Sequence, residues 1–210
     1  MAPPFSAAEY EHRQDRTRRA IAERQLDAIV VGDPSNINWL TGYDAWSFYT
    51  PQVLIIGPEV GPVWIGRLMD AGAAKFTTYL TAEQGVPFPE ELVQRPDTHP
   101  AVFVADWMTQ AGLGAKRIGY ESVVYYFSPA MRDYLVESMP NAQWSDANLL
   151  VNWQRLGKSP AELDVMRQAA TIAGLVMQTA YDGTAPGVRQ CDLMAEVAAA
   201  QIRGTPEFGG

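Results

Sequence analysis

The sequence predicts an α/β domain with a largely parallel or mixed sheet, followed by a pair of amphipathic helices. Two observations carry this. From Asp27 to Gln154, short β-branched runs alternate with helix-forming stretches, the pattern of strands connected by helices. Beyond Arg155-Leu-Gly-Lys158 the strand signals stop, and apolar residues recur only at helical spacing. The chain's 210 residues, 47% hydrophobic and 19% charged, allow one full domain plus a remnant, or two small domains, and exclude wholesale disorder.

The elements follow in order. Ser6-Ala-Ala-Glu9 is a capping box and opens a charged helix to about Gln25. Asp27–Gly32 is a buried strand. Asp33-Pro34-Ser35-Asn36 starts a short helix, with proline early, where its missing N–H costs little. Val53–Ile56 and Val63–Ile65 are strands across a Gly/Pro turn. Arg67–Lys75 reads as helix. Gln84–Pro100, with four prolines, reads as a loop with room for one helical turn. Ala101–Ala111 is a helix closed near Gly112 and Gly114, and Arg117–Glu121 a strand. Ser128-Pro129 opens a helix to about Ser138; Ala142–Ser145 is a short strand and Asp146–Gln154 a short helix.

Ser159-Pro160-Ala161-Glu162 is a second capping signal. Leu163, Met166, Ala170, Ala173, Met177 and Ala180 then lie on one face of a long helix ending at Asp182-Gly183. After a Pro186-Gly187 turn, Gln190–Arg203 is a second helix. Both small-residue faces need something to pack against. The string Gly204-Thr-Pro-Glu-Phe-Gly-Gly210 has no closing element and reads as a cut rather than a terminus.

The formal charge of −8 argues against nucleic acid or an anionic membrane as the main partner. Lys75, Lys116 and Lys158 are the lysines among 16 basic residues; the rest are arginine. A saline habitat and a GC-rich genome both produce that bias. The single cysteine, Cys191, leaves no intramolecular disulfide and makes the cytoplasm the expected compartment. Met1–Arg24 lacks the apolar core of a secretory signal, and no stretch approaches the ~20 apolar residues of a membrane helix.

Chemistry-bearing patterns are sparse. His12 and His99 have no second histidine or cysteine nearby, so both are read as solvated, not as metal ligands. There is no Gly-rich phosphate loop and no Gly-x-Ser-x-Gly. Cys191 is read as a buried structural thiol. The unusual stretch is Asn36–Gln52, which holds Trp39, Tyr43, Trp46, Phe48 and Tyr49. Trp39 is read as core. The others are divided between core and a contact surface, since aromatics serve both.

Asp33-Pro-Ser-Asn-Ile-Asn-Trp-Leu-Thr-Gly-Tyr43 resembles the hallmark segment of the N-terminal domain in the creatinase / prolidase / aminopeptidase P family. Lys158-Ser-Pro-Ala-Glu162, Met166-Arg-Gln-Ala-Ala170 and Pro186-Gly-Val188 resemble that family's entry into its C-terminal pita-bread catalytic domain. The resemblance runs from about Phe5 to Gly210. It implies a creatinase-like N-terminal domain over 1–157, with a mixed sheet flanked by helices. The first two helices of a truncated pita-bread domain then follow over 158–210. Gly42-Tyr-Asp-Ala-Trp-Ser-Phe-Tyr49, Gly66-Arg-Leu-Met-Asp-Ala71, Tyr125-Tyr-Phe-Ser128, Leu150-Val-Asn-Trp-Gln-Arg155, Pro186-Gly-Val-Arg-Gln-Cys-Asp192 and Gly204–Gly210 are most similar to the family's ectoine-hydrolase branch.

That resemblance implies a homodimeric C–N hydrolase that opens the cyclic amidine ring of ectoine to acetyl-diaminobutyrate, in compatible-solute degradation. It implies that this chain alone is inactive, with no catalytic residue and no metal ligand of its own. In the peptidase members a divalent metal pair sits on two Asp, one His and two Glu, all beyond Gly210. A Xaa-Pro dipeptidase or aminopeptidase-like protein, acting on a dipeptide, and a non-catalytic dimerisation or binding domain stay open as alternatives. Phe48 matches an aromatic that contacts substrate in creatinase. Thr50 stands where creatinase carries a carboxylate-gripping arginine, which speaks against creatine. Trp46 and Tyr49 are neighbouring candidates, and Glu207 and Phe208 are candidates in the loop entering the catalytic domain. Gln190 stands where many peptidase members have Glu, a change without a functional reading.

Overall fold

The computed structural model describes residues 3–209; Met1, Ala2 and the final Gly210 of the expected cut end lie outside the described residues. The chain divides into two compact units between Leu156 and Gly157.

In the first unit, α1 (Ala7–Glu23) starts as the capping box requires, with the Glu9 N–H donating to Ser6 Oγ at 3.3 Å. Its buried residues Tyr10, Arg13, Thr17 and Ile21 form one stripe of an otherwise charged helix. β1 (Ala28–Val31) is buried throughout. Asp33 caps α2 (Pro34–Thr41) by accepting from the Ser35 and Asn36 N–H groups at 2.7 and 3.2 Å. Gly42 ends that helix at φ 84°, a conformation that strains any side chain. A Cβ there would also sit 2.8 Å from the Thr77 carbonyl oxygen.

Then follow β2 (Val53–Ile56), β3 (Val63–Arg67), α3 (Ala71–Thr77), β4 (Gly85–Phe88), α4 (Ala101–Gln110), β5 (Arg117–Tyr120), α5 (Pro129–Ser138), β6 (Gln143–Asp146) and α6 (Leu150–Leu156). The six strands form one sheet in the order β4-β3-β2-β1-β5-β6. β2 runs antiparallel to β1 and β3; the other three pairings are parallel. The sheet is therefore mixed, as expected.

Alternation along β1 builds both layers. Ala28 and Val30 face a core shared with Val104 and Met108 of α4 and Met131 and Leu135 of α5. Ile29 and Val31 face Ile21 of α1, Ile37 and Leu40 of α2, and Leu150 and Val151 of α6. A strand buried on both faces has no polar side to give register information. Here the register is carried by size: Gly119 of β5 sits where a Cβ would lie 2.7–2.9 Å from Ala147, Leu26 and Ile29.

Three expected elements are redrawn. The expected loop Gln84–Pro100 contains β4. Pro87 lies inside that strand, which the sheet tolerates because β4 is an edge. The expected helix Arg67–Lys75 begins instead at Ala71, because Arg67 closes β3 and a 3₁₀ turn spans Leu68–Asp70. Glu121 stands just beyond β5 rather than in it.

The second unit is an α7 (Pro160–Gly183) and α8 (Gln190–Arg203) pair. Ser159 and Glu162 form a reciprocal capping box, at 3.2 and 2.8 Å. Gly183 admits Leu193 to 2.7 Å of where a Cβ would stand, so the pair closes tightly there. Neither helix buries a residue, and Leu163, Met166 and Met177 are 39%, 52% and 54% exposed. Cys191 is exposed rather than a buried thiol, because it lies in the first turn of a helix with no buried position.

Candidate functional site at the carboxyl edge of the sheet

β1 and β5 are parallel neighbours whose chains depart in opposite directions, β1 through α2 to β2 and β5 through α5 to β6. In open α/β sheets that divergence makes the crevice where ligands bind. Here Glu121, 1% exposed, fills it. Glu121 Oε2 accepts from the Gly32 and Asp33 N–H groups at 2.8 and 2.9 Å, and Oε1 from Asn36 Nδ2 at 2.6 Å. Asn36 Nδ2 also donates to Asn152 Oδ1 at 3.0 Å, and Arg155 Nη1 donates to Asn36 Oδ1 at 2.8 Å. Burial pushes the Glu121 carboxyl above its ordinary value; the three donors oppose that. Phe127 packs against Gly32 from the other side, 3.3 Å from where a Cβ would stand.

Outside the filled crevice, the same edge carries the aromatic stretch. Its two feet are fixed: the Asp44 N–H donates to Thr77 Oγ1 at 3.1 Å, and Gln52 Nε2 donates to the Tyr43 hydroxyl and Asp70 Oδ2 at 3.0 and 3.1 Å. Trp39 and Tyr43 are core, 7% and 1% exposed, with Tyr43 tilted on Trp64 at 5.1 Å between centroids. Between the feet, Trp46, Phe48 and Tyr49 are 55%, 81% and 53% exposed. Trp46 meets Phe48 edge-on at 6.3 Å and Tyr126, from the loop after β5, at 5.7 Å. Tyr49 turns toward the end of β3, where Arg67 Nη1 donates to its hydroxyl at 2.5 Å. Glu90 in turn accepts from Arg67 Nε and Nη2. That pairing holds the guanidinium charged and the Glu90 carboxyl below its usual value. An open cavity of about 400 Å³ lies beside Trp46, lined by Ser35, Asn38, Asp44 and Arg155 among others.

The sequence-derived candidates thus divide. Trp46, Phe48 and Tyr49 come together as an exposed crest. Thr50 is buried behind it, its hydroxyl paired with that of Ser47. Glu207 and Phe208 belong to the second unit, in a turn where the Phe208 N–H donates to Thr205 Oγ1 and the Thr205 N–H to the Phe208 carbonyl. Sequence reasoning missed Glu121, Tyr126 and Arg67 as site residues. For Arg67 and Tyr126 the signal was present, since both fall in strings already noted as family-like. His99, read as solvated, is half-buried and stacked on Tyr134; its Nδ1 accepts from the Ala101 N–H at 3.0 Å. Among the described residues, no three His, Cys, Asp or Glu side chains are placed to hold a metal ion. No described helix is long and apolar enough to cross a membrane.

A mixed sheet with its own crevice filled, and an exposed aromatic crest beside an open cavity, puts the candidate site at the surface of the domain. Residues 13–156 match the creatinase/prolidase N-terminal domain, and the chain belongs to that family. It is 42% identical over 98% of its length to the uncharacterized hydrolase/peptidase y4tM of Sinorhizobium fredii, and 38% identical over 99% to the ectoine hydrolase of Halomonas elongata. It covers 53% of each, so the chain spans about half the length of these curated relatives. The Xaa-Pro dipeptidase of Bacillus anthracis superposes with a TM-score of 0.67 at 18% identity, over 91% of this chain and 48% of that one. That likeness is one of fold.

Proposed function

We propose that this chain is the N-terminal portion of a C–N hydrolase of the ectoine-hydrolase type. In this reading, the crest of Trp46, Phe48 and Tyr49 closes over a small-molecule site supplied by the catalytic half of a neighbouring subunit in a homodimer. The 38% identity to an ectoine hydrolase across 99% of the chain carries the reading. The crest supports it: large apolar rings held out from a stable domain suit the covering of a ligand better than the filling of a core.

Thr50 then braces the crest from behind, while Glu207 and Phe208 stand in the approach to the catalytic half. In the reaction, water adds its oxygen to the amidine carbon between the two ring nitrogens, and one ring C–N bond breaks. The departing nitrogen takes a proton, leaving the acetylated diamine. A general base must activate the water; no residue of this chain is given that role.

The test is to express both this 210-residue chain and the product of the whole reading frame, and to follow ectoine consumption and acetyl-diaminobutyrate formation. Turnover by the whole product and none by the chain is expected. Metal-dependent cleavage of a Xaa-Pro dipeptide by the whole product, with ectoine untouched, would replace this reading with the peptidase one.

A further inference from the structure

We infer that Arg67 is the positioning residue of the aromatic crest: by holding the Tyr49 phenol it sets where Phe48 stands, and through Phe48 the affinity for substrate. The statement about affinity rests on the function proposed above; the statement about position does not.

Residues 44–52 form no helix or strand, so no backbone ladder holds their middle, and side chains must. Between the fixed feet at Asp44 and Gln52, Ala45 packs on the core below and Trp46 meets Tyr126 ring to ring at 5.7 Å. Ser47 and Thr50 pair with each other, inside the loop. Tyr49 is different, because its partner is charged and belongs to the sheet. Arg67 ends β3, and Glu90 follows β4, the strand paired with it. Glu90 engages Nε and Nη2 of the guanidinium at 2.8–3.0 Å. Two nitrogens of a planar group are thereby fixed, and the third, Nη1, is aimed at the Tyr49 hydroxyl. The guanidinium carbon also lies 5.7 Å from the centroid of the Tyr49 ring. Phe48, 81% exposed, is the next residue along the chain, so its backbone moves with Tyr49. A lysine at position 67 has a single ammonium on a flexible stem and cannot reproduce the fork.

Chymotrypsin reads the position claim on the 210-residue chain. Cleavage after Trp46, Phe48 or Tyr49 requires the crest to open, and exposed Tyr181, in the second unit, supplies an internal reference site. Arg67→Ala, Arg67→Lys and Tyr49→Phe are each expected to speed crest cleavage by roughly fivefold or more, since cleavage tracks the open population. Cleavage at Tyr181 should be unchanged. The Arg67→Ala/Tyr49→Phe double variant should be no faster than Arg67→Ala, because one interaction is removed twice. Crest cleavage unaltered in Arg67→Ala overturns the inference.

On the whole product, KM for ectoine should rise roughly fivefold in Arg67→Ala and Tyr49→Phe with kcat within about twofold, as for loss of binding felt equally in ground and transition states. A fall in kcat at unchanged KM overturns the affinity half. If the whole product ignores ectoine while the proteolysis result holds, the proposed function fails and the positioning role stands.

Discussion

Asn36 and Glu121, 85 residues apart in the chain, are joined by a 2.6 Å hydrogen bond inside the crevice between β1 and β5. Every described contact of the Glu121 carboxyl is with a donor: two backbone N–H groups and the Asn36 amide. Glutamine offers one acceptor oxygen and one NH2, so in either orientation the NH2 confronts a donor. Glu121→Gln is therefore expected to destabilise the first unit by ~1–3 kcal/mol, the cost of leaving a buried polar group unsatisfied. Urea denaturation at neutral pH measures this; an unaltered midpoint would remove the network from the account.

His99 gives the fold a pH dependence. Its Nδ1 accepts from the Ala101 N–H at the start of α4, and burial holds its pKa below the ordinary value of 6.5. The folded state thus binds fewer protons than the unfolded one. The stabilisation is fully present above the ordinary histidine value and is lost as pH falls through the lowered folded one. His99→Asn retains a side-chain acceptor but does not titrate. Comparing its urea midpoint with the parent's between pH 7.5 and 5 should show a flatter profile in the variant.

Gly57 lies where the chain leaves β2. A Cβ there would stand 2.2 Å from the Asp27 carbonyl oxygen and 3.1 Å from Ala28 Cα, both backbone atoms of the central region of the sheet. Backbone cannot yield as a side-chain tip does, so Gly57→Ala should cost ~1–3 kcal/mol or more, as overpacking does. A thermal melt within a degree of the parent would show that the turn relaxes.

Phe48→Ala separates binding from stability. An 81% exposed ring adds little to the fold, so the melt of the 210-residue chain should stay within about 0.5 kcal/mol of the parent. If the whole product acts on ectoine as proposed, its KM should rise. A variant with unchanged KM would take Phe48 out of the substrate surface.

Leu163→Asp and Met177→Asp test the exposed stripe of α7. With 39% and 54% exposure, either charge should leave the melting of the 210-residue chain unaltered. In the whole product the same changes should lower the melting temperature, because each would bury a carboxylate in an apolar interface. Equal melting in both settings would show the stripe to be unpacked throughout.

Most of the architecture was legible because it follows from local signals. Ser6, Asp33, Ser128 and Ser159 each cap the helix they announce, and the β-branched runs became the central strands. β4 was not legible, because Pro87 argues against a strand unless the strand is known to be an edge, and edge position is a property of the whole sheet. His99 and Glu121 were misread for a related reason. Their environments come from Tyr134, Ala101, Gly32 and Asn36, and all but Ala101 lie far from them in sequence. Of the site, the aromatic crest showed itself as composition. Its anchor Arg67 lay in the family-like string Gly66–Ala71, but nothing local tied it to Tyr49 and Glu90, 18 and 23 residues away.

The filled crevice has a consequence for what such a domain presents. In open α/β sheets that gap is where a ligand enters. Here a carboxylate of the chain itself occupies that gap and ties the segments of Gly32 and Asn36 to that of Glu121, and the Asn36 amide carries the network on to Asn152. The interior is thereby relieved of recognition. What the crest between Asp44 and Gln52 meets is then set by its exposed rings and by the Arg67 and Tyr126 contacts that hold them, not by the Glu121 network beneath.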